Sequence, residues 1–419
     1  MIAVFRSSDP YAARAALFCL KQKQWVRSYH WLDVSGTALY LLHRIEVLGI
    51  TDAVPQPVLG RLRRNLADSH HRVDTMFAEF VELNNLFTEA AISSCNLKGF
   101  TLSPDSCPNP ELRCQLDFDF LVDGRSLDLC RNLLERRGYE LRGRGPTVLE
   151  FKTPSETIAD IADLYRSKRQ FSVEVHFSVD GESAPTRDPR LDRTRIMSMR
   201  GFSFSALSPV DQFVNQATHL FGHLCGANTR VAWLLEFNNH MQARANDAAF
   251  WKNVCEVISL DRESTLALGA VCQLAEELLA IEIPAVLSQA LSTHRSGEIS
   301  RWVELYGVRA LLADSPGTKL GLLLKEQLEE DGGAWQKSRR KALLPLHRAP
   351  RLLPIRRSEG WHQIRRSEAL QLRYDLFRLR FHVVEGARYL YEWTQWRRGL
   401  ALPHPPVVPR PSSGRVVPE

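Results

Sequence analysis

The chain has 419 residues, of which 44% are hydrophobic and 24% are charged. This composition excludes a chain disordered throughout, a collagen-like repeat and a small disulfide-stapled scaffold, and the length is sufficient for two or three domains. Lysine and arginine number 54 against 48 aspartate and glutamate residues. The formal charge of +6 is therefore mild and, taken as an average, argues only weakly for a nucleic-acid or anionic-membrane partner.

The sequence has no evident targeting segment. The N-terminal apolar run MIAVF is too short for the core of a secretory signal. No stretch approaches the roughly 18 consecutive apolar residues of a membrane span. The cysteines include no C-x-x-C pair, which argues against a disulfide framework or a four-thiolate zinc site. We therefore expect a cytoplasmic protein.

The character of the sequence changes several times along the chain. Residues 1–94 carry apolar residues at three- and four-residue steps, which predict helices. Residues 95–206 consist of short apolar runs separated by Pro, Gly, Asp and Ser, typical of an α+β core. Residues 207–333 predict a helical domain packed on that core. Residues 334–402 predict a basic, aromatic-rich helical region, and residues 403–419 a disordered tail rich in Pro and Ser.

The α+β segment can be divided into elements. The segment RGRGP lacks the Lys-Ser/Thr end of a P-loop, so we interpret it as a flexible hairpin connection. The last predicted strand has the clearest alternation of apolar and polar residues. The predicted elements are strands at 95–97, 116–122, 148–151 and 171–179, a helix at 126–137, and the connection at 142–146.

Two carboxylates stand out in the run LDFDFLV at residues 116–122. Strand periodicity puts Asp117 and Asp119 on one face and the apolar residues on the other. Two acids on one face repel each other and are costly to bury, so a cation should lie between them, and Mg²⁺ prefers such oxygen ligands. An exposed edge strand with both acids in water is the alternative.

A third acid favours the metal hypothesis. Glu174 lies in the alternating run VEVHF, with His176 on the same face. An adjacent strand could bring this carboxylate beside the Asp pair, and three carboxylates from two strands suit a two-metal phosphoryl or nucleotidyl transfer site. A single salt bridge would explain one acid but not all three. For His176 we favour a supporting role in the core or beside the ligands over direct ligation.

Upstream, Lys98 and Gly99 follow a short apolar run. Glycine lets the backbone approach a phosphate closely, and a lysine can pair with a triphosphate as a point charge. A Lys-Gly dipeptide by itself is uninformative. Only its position before the paired acids supports a role in phosphate binding.

These residues together resemble the uncharacterised bacterial nucleotidyltransferase-like family within the DNA polymerase beta superfamily. The resemblance covers about residues 25–258 and extends to LSPVD at 207–211, to His219 and His223, and to residues 230–236. Its motifs are, in order, LKGFTL at 97–102, Arg113, LDFDFLV at 116–122, Gly138-Tyr139, and VEVH at 173–176.

The resemblance implies a small mixed sheet flanked by helices. It also implies transfer of an NMP group from a nucleoside triphosphate to an unidentified acceptor, with two Mg²⁺ (or Mn²⁺) ions. By position it assigns catalysis and metal binding to Asp117, Asp119 and Glu174, and nucleotide and phosphate binding to Lys98, Gly99 and Arg113.

Two departures from the family pattern support a rival hypothesis. The third acid is usually Asp but is Glu174 here, and the usual Gly-Ser or Gly-Gly pair is reduced to Gly99-Phe100. The rival is a catalytically degenerate member that acts as a binding or assembly protein. A phosphohydrolase with the same metal chemistry is a more distant third.

Two further features remain open. His219 and His223 are four residues apart on a predicted helix, so they share a face, but no third zinc ligand is evident, and helix packing or a substrate-facing role is favoured. Between residues 335 and 400 arginines far outnumber acids and alternate with aromatic residues. That pattern suits nucleic acid, an anionic membrane surface, or plain helix packing.

Overall fold

The structure of the protein is a computed structural model, which describes most of the chain. The predicted tail at 403–419 lies outside the described residues, as does part of the predicted region at 334–402. The described ranges are residues 1–6, 9–154, 163–167, 170–180, 184–292, 297–329, 332–344 and 361–399.

Helices precede and follow a central sheet. The first five are α1 (Ala3–Arg6), α2 (Pro10–Phe18), α3 (Gln22–Val34), α4 (Ala38–Val47) and α5 (Gln56–Glu89), and α6 (Leu127–Arg136) lies within the sheet segment. The later helices are α7 (Pro209–Cys225), α8 (Val231–Ala243), α9 (Ala248–Ser259), α10 (Arg262–Leu279), α11 (Ala285–Leu291), α12 (Glu298–Trp302), α13 (Val308–Leu311), α14 (Gly321–Glu326), α15 (Gly332–Leu343) and α16 (Trp361–Arg397). Among the described residues, none of these helices is both long enough and apolar enough to cross a membrane.

The main sheet has seven strands in the order β3-β4-β5-β2-β1-β9-β8. The pairs β2–β5 and β1–β9 are parallel and the other pairs antiparallel, so the predicted mixed sheet of an α+β protein is confirmed. Strands β6 and β7 form a separate two-stranded sheet. The strands are β1 (Ser94–Asn96), β2 (Phe118–Val122), β3 (Glu140–Arg144), β4 (Val148–Lys152), β5 (Ser172–His176), β6 (Ser178–Asp180), β7 (Ala184–Thr186), β8 (Arg195–Met199) and β9 (Phe202–Ala206).

One face of the sheet packs on α5. Phe118 and Phe120 point from β2 into a core with Phe80 and Phe87, and the ring centroids of Phe87 and Phe120 are 5.0 Å apart. The N-terminal half of α5 belongs to a second core, shared by α1–α4 and α7–α16. The 34-residue α5 thus joins the sheet to the helical part of the protein. The predicted division at residues 94, 206 and 333 stays a prediction.

The structure differs from two of the predicted elements. Residues 171–179 do not form one strand, because the chain leaves the main sheet at Phe177 and continues as β6 in the small sheet. The predicted connection at 142–146 is largely strand β3, which pairs with β4 and has a register shift at Gly143. An edge strand of Arg and Gly lacks the apolar alternation that identifies strands in sequence.

We predict that Phe120→Ala lowers the free energy of unfolding by about 3–5 kcal/mol, because it leaves a cavity under the sheet. Phe120 is fully buried, whereas Ile196 on β8 is 72% exposed. Ile196→Ala is therefore the matched control and should cost less than about 1 kcal/mol. Urea unfolding followed by circular dichroism measures both. Equal losses in the two variants would contradict the packing described for this face.

Candidate active site

The other face of the sheet carries a row of carboxylates. In the parallel pair β2–β5, Asp119 lies opposite Glu174, and in the pair β4–β5 Glu150 lies opposite Glu174. Directly opposed residues on neighbouring strands point to the same face, so the register sets Asp119 and Glu174 side by side. Glu150 is held by Lys152, with Oε1 2.6 Å from Nζ.

Lys98 neutralises the most buried acid of the row. Its Nζ lies 2.7 Å from Oδ1 of Asp119, whose side chain is 1% exposed. Burial by itself would raise the pKa of Asp119, but the Lys98 charge and the hydrogen bond from His176 outweigh it and hold this pKa well below its usual range. Burial likewise opposes the charge of Lys98, yet Asp119 and Asp117 raise its pKa. The pair is therefore ionised.

His176 joins this pair from β5. Its Nε2 lies 3.3 Å from Asp119 Oδ1 and 3.4 Å from Glu174 Oε2. Burial would lower the pKa of His176, but hydrogen bonds to both carboxylates raise it. In the part of the chain that the structure describes, Asp119, Glu174 and His176 form a group whose ligand atoms all lie within 4.8 Å of one another.

Asp117 is not in that group. It directly precedes β2 and is only half-buried, while the backbone oxygen of the same residue accepts a hydrogen bond of 2.9 Å from Gln115 Nε2. Burial raises the pKa of Asp117, and the charge of Asp119 raises it further. Its carboxyl group thus lies within electrostatic reach of the acidic row without being one of the three grouped ligands.

Gly99 sets the direction of the Lys98 loop. Its φ is +73°, a left-handed conformation, and a β-carbon there would collide with the side chain of Gln115. The turn sends Lys98 to the acidic face and Phe100 to the opposite core, where its ring packs 4.9 Å from that of Phe80. Phe100 therefore does not fill the space beside Asp119.

Arg113 is held by an internal partner. Its Nε lies 3.1 Å from Oε1 of Glu236 on α8, and Tyr40 donates a 2.9 Å hydrogen bond to the same oxygen. Burial would lower the pKa of Arg113, but Glu236 raises it. Arg113 also lines a small cavity together with Lys98, His219 and Trp233. It is placed beside the Lys98 loop, and its orientation depends on α8.

The grouped residues fit a divalent cation. Asp119 and Glu174 supply carboxylate oxygens, the ligands preferred by Mg²⁺ and Mn²⁺. The donor atoms of the group lie within 4.8 Å of one another, so they would have to move slightly closer together around one ion with metal–oxygen distances of ~2.1 Å. The Lys98 ammonium contacts the same oxygen of Asp119, so a cation bound there would compete with it.

A family model described as uncharacterised nucleotidyltransferase matches residues 21–280, more than half of the chain. The chain belongs to this family. The match includes the whole main sheet, α5 and α7–α10, and therefore every residue of the site described above. No curated protein and no solved structure matches the chain.

Sequence reasoning did not identify Glu236, Tyr40 or Trp233 as parts of the site. Trp233 contacts both His219 and His223, with ring centroids 4.8 Å and 4.4 Å away. The signal in the sequence was weak, because Glu236 and Trp233 lie in an apolar helix whose sequence reads as core. Only the packing of α8 against the Lys98 loop brings these residues to the sheet.

We predict that Gly99→Ala destabilises the protein more than Gly201→Ala. Both glycines have positive φ, but a β-carbon at Gly201 meets nothing within 4 Å. Gly201→Ala should therefore cost only the conformational strain, about 1–2 kcal/mol, whereas Gly99→Ala adds the displacement of Gln115. Chemical denaturation of the two variants gives the comparison. Equal costs would mean that Gln115 moves freely and does not fix the loop.

Proposed function

We propose that the protein is a metal-dependent nucleotidyltransferase of the polymerase-beta type, which transfers an NMP group from a nucleoside triphosphate to an acceptor. The observation that carries this proposal is the convergence of Asp119 and Glu174, with Asp117 alongside, next to Lys98. Membership of the nucleotidyltransferase family supports the reaction class.

The proposed roles divide between acids and cations. Asp119 and Glu174, together with Asp117, would hold one or two Mg²⁺ or Mn²⁺ ions, which neutralise the triphosphate and lower the pKa of the acceptor hydroxyl. Lys98, released from Asp119, would pair with the phosphates, since its buried ammonium is already charged. Arg113, oriented by Glu236, would add a second positive charge.

The proposed transfer is a direct displacement. The acceptor oxygen forms a bond to the α-phosphorus, the bond to the bridging oxygen breaks, and pyrophosphate leaves while the hydroxyl proton passes to water. His176 would keep the Asp119 carboxylate oriented through its contact at 3.3 Å. Catalysis of this kind depends mainly on position and on charge stabilisation.

The test measures pyrophosphate release and label transfer from each α-labelled nucleoside triphosphate, with Mg²⁺ or Mn²⁺ and a cell extract as the source of acceptor. We expect Asp117→Asn with Asp119→Asn, and separately Glu174→Gln, to lower transfer at least about 100-fold through loss of metal ligands. Glu140→Gln on β3, an exposed carboxylate, is the control and should leave transfer unchanged. Transfer that survives in the double variant would show that the site is wrongly assigned.

Lys98→Met should separate metal binding from nucleotide binding. Removing the ammonium from Asp119 removes a competitor, so the full-length protein should bind Mn²⁺ at least about tenfold more tightly, while its affinity for nucleoside triphosphates falls. Lys152→Met, which removes the partner of Glu150 on the same face, is the control for a general change in charge. Titration calorimetry measures both affinities. A loss of Mn²⁺ affinity in Lys98→Met would contradict the proposed competition.

The rival proposal is a degenerate member in which Lys98 permanently takes the place of a cation. The 2.7 Å contact between Lys98 and Asp119 favours it. This form would bind no divalent cation at the acidic row until Lys98 is replaced, and it would show no transfer with any nucleotide. The transfer assay and the Mn²⁺ titration of the unaltered protein therefore decide between the two proposals.

The basic segment at 335–400 stays a proposal for contact with nucleic acid or another anionic surface. Some of its arginines have partners within the protein: Arg339 stacks on Trp393, at 4.6 Å from the ring centroid, and Arg397 pairs with Glu326. Arg373 and Arg380 of α16 are exposed to solvent. The positive charge of these exposed arginines is the observation that supports an anionic partner.

A further inference from the structure

Two histidines and a tryptophan form a partly exposed aromatic surface beside the acidic row. His219 and His223 lie on successive turns of α7, with ring centroids 4.6 Å apart. Trp233, in the first turn of α8, lies 4.8 Å from His219 and 4.4 Å from His223. The guanidinium of Arg230 is 5.6 Å from the Trp233 ring centroid. Unlike the apolar residues around them, these four side chains remain partly exposed.

Helix packing alone does not account for this surface. The opposite face of α7 carries its packing residues, including Phe213, Ala217 and Leu220, which are fully buried. The face that bears the histidines is polar and turned toward the site loop. Nearer the N-terminus of α7 on the same face, Gln212 donates a 2.6 Å hydrogen bond to the backbone oxygen of Thr101. This face of α7 thus contacts the loop that starts at Lys98. The two imidazoles lie on the same face, nearer the C-terminal end of the helix.

The aromatic surface adjoins the residues that are proposed to bind phosphate. His219 and Trp233 line a cavity of about 10 Å³ together with Lys98 and Arg113, which has room for one water molecule, so the rings and the two cations are direct neighbours. Lys98 and Asp119 are also close enough to influence the pKa of His219. A molecule whose charged end reaches Lys98 would therefore place its adjoining part against the rings.

The surface presents neutral, planar groups. Burial, with the nearby positive charge of Lys98, lowers the pKa of both His219 and His223, so the imidazoles are uncharged at neutral pH. Uncharged rings do not hold a phosphate as cations, but they stack on flat π systems, and Arg230 over Trp233 adds a cation–π edge. The rings beside Lys98 and the acidic row are therefore suited to stack on a nucleobase.

We infer that His219, His223 and Trp233 bind the nucleobase of the nucleoside triphosphate while its phosphates lie at Lys98 and the acidic row. This inference rests on the proposed function and specifies how the same site recognises its donor. Because stacking accepts any base, the surface selects nucleotides over bare polyphosphates without selecting one base by hydrogen bonds.

The experiment compares the binding of ATP, GTP, CTP, UTP and inorganic tripolyphosphate, each with Mn²⁺, to the full-length protein by titration calorimetry. The unaltered protein should bind nucleoside triphosphates more tightly than tripolyphosphate. Trp233→Leu should weaken nucleotide binding by about tenfold or more and leave tripolyphosphate binding unchanged. Trp233→Phe should retain most of the nucleotide affinity because it keeps an aromatic face.

Trp361→Leu, at a tryptophan that is 77% exposed on α16, is the matched control and should change neither affinity. Circular dichroism checks that each variant is folded, and His223→Leu gives an independent second variant if Trp233→Leu is not. Several outcomes would overturn the inference. One is equal affinity of the unaltered protein for tripolyphosphate and every nucleotide. Another is a parallel loss of both ligands in Trp233→Leu.

A third outcome, unchanged nucleotide binding with reduced transfer in Trp233→Leu, would assign the surface to the acceptor and also overturn the inference. The failure of the proposed function looks different. In that case neither a nucleotide nor tripolyphosphate binds to the unaltered protein, and both proposals fall together. Tripolyphosphate binding without any preference for nucleotides leaves the proposed function intact and removes only the base-stacking surface.

Discussion

A buried carboxylate needs a cation, and the site is organised around this requirement at Asp119. The side chain is almost completely removed from solvent, and an isolated charge there would be very costly. Lys98 and His176 supply hydrogen bonds and positive charge, and Glu174 lies beside them. Together they form an electrostatic unit in which removal of one partner leaves another buried charge uncompensated.

The scaffold keeps these charges at the same place through packing on the opposite face. The aromatic residues of β2 and α5 anchor the central strand, and the left-handed turn at Gly99 directs Lys98 to one side and Phe100 to the other. Phe100 therefore strengthens the core. Gly99 keeps the left-handed turn that directs Lys98 although Phe100 follows it in place of a second small residue, and Phe100 does not close the site.

Helices α7 and α8 contribute the residues that surround the Lys98 loop. They bury their apolar faces in the helical core and turn a polar face toward the sheet, with Glu236 holding Arg113 and the imidazoles lying next to Trp233. The conformation of the site thus depends on packing between the sheet and the later helices. The sheet supplies the acidic row, whereas the partner of Arg113 and the aromatic residues come from helices far along the chain.

The sequence by itself determined the class of fold, most helices, and the position of the acidic strand, because these depend on local periodicity and residue type. The alternation in β2 and β5 was enough to put Asp119, Glu174 and His176 on strand faces. Tertiary structure decided which strands are neighbours, and therefore that Asp119 lies opposite Glu174 while Asp117 stays outside the ligand group. It also brought Glu236, Tyr40 and Trp233 to the site, since contacts across more than a hundred residues leave no local pattern. The edge strand β3 was missed because its Arg and Gly residues lack apolar alternation. The break at Phe177 was missed because it depends on which strands pair in space.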